Sequence, residues 1–247
     1  MEVFKVSCPN IRWIKAFGER PHKDFDSFVK CNAVDNNIEE LVFLDSRGVG
    51  RSFSGLLAEK IITKNHLKKS YILVCRPLEL TTWATLINFI SLNELNPKKI
   101  ITNMGLVDFT PKKKHLLKDA IQQVDYLIGK KVAKAIFAEK YISINGNKIN
   151  LYCMQYSDEY KKSIEKITRK IPTIIINTPI VSDSIKIERK RPHCFFTSLA
   201  QTVAFNQSIN YAKVVNLPVF DETLTYDAVH FTTAGNELIF NIIKEYL

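Results

Sequence analysis

The chain is poor in the residues that mark irregular or fibrous sequences: eight Gly and nine Pro in 247 residues exclude a collagenous or linker-like protein. Its five cysteines, Cys8, Cys31, Cys75, Cys153 and Cys194, are odd in number, widely spread and never in C-x-x-C spacing. That pattern supports neither a disulfide framework nor a zinc site, and reduced thiols are expected. No apolar run approaches the roughly 18 residues of a membrane span, and the opening MEVFKVSC lacks the basic and apolar regions of a signal peptide. A cytoplasmic protein without a membrane partner is therefore expected. Gly48-Val49-Gly50 is not followed by Gly-Lys-Ser/Thr, so it is not a phosphate loop.

What is present is a composition of 46% hydrophobic and 24% charged residues, enough to bury the core of an α/β domain. Short apolar runs alternate with longer amphipathic ones, the signature of parallel strands joined by crossover helices. Strands are predicted at residues 41–44, 71–75, 99–102, 174–177 and 214–219. Helices are predicted at 53–62, 81–95, 113–128, 157–170, 200–212 and 232–247. Two pieces stand outside these five βα units: an N-terminal extension, residues 1–38, with Trp13, Phe17, Phe25 and Phe28, and an inserted hairpin at 141–153 around Asn145-Gly146. Residues 1–247 read as one domain.

In open α/β sheets, ligands bind beyond the carboxyl ends of the strands. The first strand is followed by Asp45-Ser46-Arg47-Gly48, which places a serine at a strand-to-helix turn. The third is followed by Asn103-Met104-Gly105-Leu106-Val107-Asp108, and the last by a segment containing Asp227-Ala228-Val229-His230. A serine needs a base to become a nucleophile, and the base needs an orienting acceptor. Asp227 and His230, three apart ahead of a helix, can supply both.

These blocks resemble the SGNH hydrolases, the GDSL-type esterases. Leu44-Asp45-Ser46-Arg47 is similar to the family's Gly-Asp-Ser-Leu turn, and Asp227-Ala-Val-His230-Phe-Thr-Thr-Ala234-Gly235 to its Asp-x-x-His block. The resemblance runs from about residue 41 to the end. It implies a three-layer α/β/α, flavodoxin-like sandwich on a five-stranded parallel sheet, with Ser46 as nucleophile, His230 as general base and acid, and Asp227 as orienting carboxylate. No metal and no cofactor are implied. The family's oxyanion hole uses a Gly amide and an Asn side chain, and here the middle blocks depart from it. Arg76-Pro77-Leu78-Glu79-Leu80-Thr81-Thr82 has no glycine, and Val107 stands where the family has asparagine. The expected donors are the Ser46 amide, the Gly105 amide and the Asn103 side chain.

The formal charge of +10 is mostly lysine on predicted helix exteriors. Lys112 to Lys114 and Arg189 to Arg191 differ by position, since both follow strands at the mouth of the crevice. Arg47, Asp183, Arg189 and Arg191 are the expected substrate-binding residues. The expected reaction is hydrolysis of small O-acyl esters, O-acetyl on a carbohydrate. Alternatives are an O-acetyltransferase using an acyl-CoA donor, or a non-catalytic glycan- or anion-binding member. A nucleic-acid partner is not expected, because no binding motif accompanies the charge. The sequence carries no reading of oligomeric state.

Overall fold

The structure is a computed structural model that describes residues 28–48, 57–65, 69–76, 80–144, 147–189 and 193–247. Its main sheet is formed by β1 (Phe28–Cys31), β2 (Glu40–Leu44), β3 (Tyr71–Cys75), β4 (Lys99–Thr102), β8 (Thr173–Ile176) and β9 (Ala212–Val215). The order is β1-β3-β2-β4-β8-β9. All neighbours are parallel except β1, which runs antiparallel along β3 with Phe28 opposite Cys75. The five parallel strands thus follow the flavodoxin-like order, as expected for the α/β class.

The continuous apolar strands follow from coverage on both faces. Leu41 and Phe43 of β2 enter one buried cluster and Val42 and Leu44 the other; in β3 the split is Ile72 and Val74 against Tyr71, Leu73 and Cys75. One face is packed by α2 (Trp83–Leu92), α4 (Lys114–Ile128) and α6 (Asp158–Thr168). The other is packed by α1 (Leu57–Asn65), α7 (Asp183–Arg189) and α9 (Thr233–Ile243). A long helix, α8 (His193–Ser208), sends Phe205 to the first cluster and Phe195 and Leu199 to the second.

Some boundaries differ from the sequence reading. The helix expected at 200–212 begins at His193 and ends at Ser208. The fifth parallel strand is Ala212–Val215, not 214–219. It is a sheet edge with mixed burial, so it lacks the continuous apolar run that marks the inner strands. The hairpin is longer than residues 141–153: β6 (Phe137–Ile144) pairs with β7 (Asn147–Met154), and its Asn145-Gly146 turn lies outside the described residues. A two-residue strand, β5 (Lys112–Lys113), joins β7 to complete a second sheet. Short helices α3 (Leu106–Phe109) and α5 (Lys130–Ala135) flank it in sequence.

Of the N-terminal extension, the described part supplies the edge strand β1; Trp13, Phe17 and Phe25 lie outside the described residues. Cys31 is disulfide-bonded, which corrects the expectation of reduced thiols throughout, whereas Cys75, Cys153 and Cys194 are not in disulfides. Among the described residues no helix is long and apolar enough to cross a membrane.

Candidate active site

The strand order reverses direction between β2, which leads to β3 on one side, and β4 on the other. That is the switch point where an open α/β sheet leaves a crevice at its carboxyl edge. Ser46 is two residues beyond β2 and Asn103 directly follows β4.

Residues Ser46–Gly48 form one 3-10 turn. Gly48 N–H donates to the Asp45 carbonyl (3.0 Å), and the Arg47 N–H donates to Asp45 Oδ1 (2.9 Å). This side chain-to-backbone bond two residues on is the Asx turn typical of aspartate. Gly48 lies so close to β2 that a Cβ there would sit 2.7 Å from the Leu44 side chain. Ser46 itself is half-buried.

Arg47 is turned into the protein. Its side chain, like that of Asp45, is 1% exposed, with Nη2 2.7 Å from Asp45 Oδ2. Nε donates to both Asp45 oxygens (3.0 and 2.9 Å), Nη1 to Thr178 Oγ1 (2.7 Å), and Nη2 also to the Asn103 carbonyl. These bonds engage the guanidinium inside the protein, and nothing in them supports the expected substrate-binding role.

The loop after β4 departs from expectation in a related way. Asn103 is buried and turned toward Asp45: its Oδ1 accepts from the Asp45 N–H (2.8 Å), and its Nδ2 donates to Asp45 Oδ1 (3.0 Å). Gly105 has φ +119°, a backbone that favours glycine, and a Cβ there would meet the Asn206 side chain at 2.9 Å. Asp108, fully buried, accepts from Trp83 N–H at the start of α2 (3.2 and 3.3 Å) and from the Tyr160 hydroxyl. Burial pushes its pKa up to about 6, against the pull of Tyr160 and Lys112.

Lys112, expected at the crevice mouth, is instead buried. It donates to the carbonyls of Val107 (2.7 Å), Asp108 (2.8 Å) and Thr110 (3.0 Å), closing the C-terminal end of α3. Burial pushes its pKa down to about 8, opposed by the attraction of Asp108. Lys113 and Lys114 are exposed.

The Asp227-to-His230 turn precedes α9. Asp227 Oδ2 lies 2.9 Å from His230 Nδ1, while Oδ1 accepts from the N–H groups of Val229 (3.1 Å) and His230 (2.8 Å). Burial alone would raise the Asp227 pKa. Hydrogen bonds from the His230 ring and backbone, with the attraction of His230 and the Val229 N–H, outweigh it and hold the carboxyl below the usual carboxylate range. The turn closes because Ala228 adopts φ 67°, an uncommon backbone for a residue with a Cβ. The His230 carbonyl accepts from Tyr226 N–H (2.9 Å) and Thr225 Oγ1 (2.8 Å). Thr232 then caps α9, its Oγ1 accepting from Gly235 N–H.

Asp227 and His230 are therefore brought together, their side chains 14% and 24% exposed. Leu44, just ahead of Asp45-Ser46, belongs to the same buried cluster as Ala228 and Phe231. Among the described residues, no hydrogen bond joins Ser46 to His230. Asp183 is exposed and ion-paired with Lys186 at 2.8 Å, which holds its carboxyl below the ordinary value. Arg189 is the last residue of α7, and Arg191 lies outside the described residues. Beyond β8, a cleft of about 510 Å³ is lined by Ile180, Lys186, His193, Phe196 and Leu199, among others. Among the described residues, no group of three or more His, Cys, Asp or Glu is placed to hold a metal.

The roles of Arg47 and Asn103 were missed because their partners are remote in sequence. The one local signal was Asp45 and Arg47 two residues apart. No protein-family model matches the chain, and no curated protein matches its sequence. Solved structures similar to it include a GDSL-like lipase of Parabacteroides merdae, at 11% identity and a TM-score of 0.42, over 84% of this chain and 94% of that one. An acetyl xylan esterase of the rumen bacterium Butyrivibrio proteoclasticus is similar at 14% identity and a TM-score of 0.36, over 85% of this chain and 63% of that one. A structure from work on carboxylesterases of the thaumarchaeon Nitrososphaera gargenis gives 11% and 0.36, over 89% of this chain and 93% of that one. At these values the likenesses assign no activity, and the candidate site rests on its own geometry.

Proposed function

We propose that the chain is a serine esterase of the SGNH type, acting on small O-acyl esters, with an O-acetyl group on a carbohydrate as the substrate. The observation that carries this reading is the Asp227–His230 pair, in which Oδ1 is pinned by two backbone N–H groups and Oδ2 meets Nδ1 at 2.9 Å. A proton on Nδ1 donated to Asp227 leaves Nε2 free to act as a base. In this reading Ser46 Oγ attacks the ester carbonyl as its proton passes to Nε2. The tetrahedral oxyanion takes hydrogen bonds from the Ser46 and Gly105 amides. The alcohol leaves with the proton from His230, and the acyl group stays on Ser46. Water, deprotonated by His230, then releases the acid and restores the serine. Catalytic hydrogen bonds often tighten only when substrate arrives, so this reading does not require a Ser46–His230 bond in the free chain.

One observation favours a second reading, a non-catalytic member that binds its ligand in the crevice: the Asn103 side chain is tied to Asp45 through both Oδ1 and Nδ2. Losing one oxyanion donor costs about 10²–10³ in rate. Labelling of the purified protein with a fluorophosphonate, together with turnover of p-nitrophenyl acetate, separates the two. Esterase activity and labelling that vanish in Ser46→Ala support the first reading, and an unlabelled wild type supports the second. Acyl transfer from acetyl-CoA to a glycan, in place of hydrolysis, would identify the transferase variant of the same chemistry.

A further inference from the structure

Building on the serine-esterase reading, we propose that Arg47 is a positioning residue: its buried guanidinium locks the Ser46 turn to the loops that follow β4 and β8. The three acceptors it engages, Asp45, the Asn103 carbonyl and Thr178, stand at the carboxyl ends of three adjacent strands, β2, β4 and β8. Asn103 adds a second thread between the first two loops through its paired bonds with Asp45. Ser46 lies between the two charged members, so its backbone is held from both sides and the direction of its Cα–Cβ bond is set by the clamp.

The chemistry explains why arginine stands there. A 1%-exposed ion pair is expensive to desolvate, and a position that needed only filling would be met by an apolar side chain. A planar guanidinium can bond in three directions at once, whereas an ammonium is a compact point charge without that fork. With both charges out of water, Arg47 acts through the turn it belongs to and never touches substrate. The clamp also fixes the distance between Ser46 and the loop bearing Gly105, because Asn103 is two residues from that glycine. The asparagine that sequence comparison offers as an oxyanion donor serves here to hold the two sides of the crevice in register.

The test compares the full chain with Arg47→Lys, Thr178→Val and Thr178→Ser. The measurements are p-nitrophenyl acetate kinetics, the rate of fluorophosphonate labelling and thermal melting. Arg47→Lys is expected to lower kcat and the labelling rate about 10²-fold, the order that a 1 Å misplacement of a reacting group costs. KM should stay within about threefold, because no substrate contact is lost. Thr178→Val, which removes one acceptor and keeps the ion pair, is expected to lower the labelling rate about tenfold, as for a lost bond to a charged group. Thr178→Ser, which keeps the hydroxyl, should restore it. Labelling of Arg47→Lys at the wild-type rate would overturn the proposal while leaving the esterase reading intact, and so would a raised KM with unchanged kcat. If Arg47→Lys does not fold, wild-type labelling of Thr178→Val overturns it instead. A wild-type protein that resists labelling removes the esterase reading and the clamp's role together.

Discussion

Replacing Gly235 with alanine puts a methyl group where the backbone leaves no room. A Cβ at this position would lie 2.1 Å from the Leu224 carbonyl oxygen, 3.1 Å from the Leu224 carbonyl carbon and 3.3 Å from Phe231 Cβ. A relaxed carbon-to-carbonyl-oxygen contact needs about 3.3 Å, so α9 and the Leu224 segment must part by about 1 Å. The obstacle is backbone, so no rotamer change relieves it. Overpacking of this kind costs about 1–3 kcal/mol. Alanine gains about 1 kcal/mol over glycine within a helix, which offsets part of that cost. A clash this deep against backbone falls at the upper end of that range, so the net loss is about 2 kcal/mol, a fall in Tm of about 4–8 °C for a chain of this length. The same carbonyl accepts from Thr232 N–H at 3.0 Å, and the loop between them carries His230. Forcing the two apart therefore shifts the imidazole, with an expected loss of about 10² in kcat. Thermal melting and p-nitrophenyl acetate turnover read the two effects. A variant that melts at or above the wild-type temperature refutes the argument.

Asp227→Asn should lower kcat about 10⁴-fold with little change in KM, since an amide no longer selects the imidazole tautomer; turnover within tenfold of wild type would contradict the pairing. Tyr160→Phe removes the hydroxyl that donates to Asp108 and accepts from the Ala84 N–H (3.1 Å). It should cost about 1–3 kcal/mol, visible as a lower urea midpoint at unchanged slope. Burial raises the folded pKa of Asp108 to about 6, above the ordinary carboxylate value, so the folded chain holds this proton more tightly. Stability should therefore fall as pH rises from about 4 to 6, relative to Asp108→Asn; parallel urea profiles across that window would contradict it. Asp227 has the opposite sign: its depressed pKa contributes stability above the ordinary carboxylate range that is lost as acid protonates it. Asp227→Asn should thus flatten the acid limb of the unfolding curve.

The inner strands were legible because burial on both faces writes a continuous apolar run, as in Leu41-Val-Phe-Leu44. The Asp227–His230 pair was legible because it is made within one turn, where spacing alone brings the groups together. Edge elements were harder to read. β9 is only partly buried and was placed two residues late, and β5 is two lysines whose pairing with Leu151 and Tyr152 no local pattern announces. Lysines after a strand read as a solvated rim, yet Lys112 turns inward because three loop carbonyls converge on it. The contacts of Arg47 were hidden for a similar reason. Its partner Asp45 is local, but Asn103 and Thr178 reach it only through the parallel strand order.

The antiparallel strand β1 has a consequence for synthesis. It leaves the ribosome before β2, yet its neighbour in the sheet is β3, and Phe28 has no strand to lie along until Cys75 has been made. In the interval β1 is an unpaired hydrogen-bonding edge, and once β3 forms, β3 has such an edge until β1 docks. Strands in that state pair readily with other chains. Removal of residues 1–32 would make the exposure of β3 permanent, so a truncated chain should aggregate on expression even with every residue of the candidate site intact.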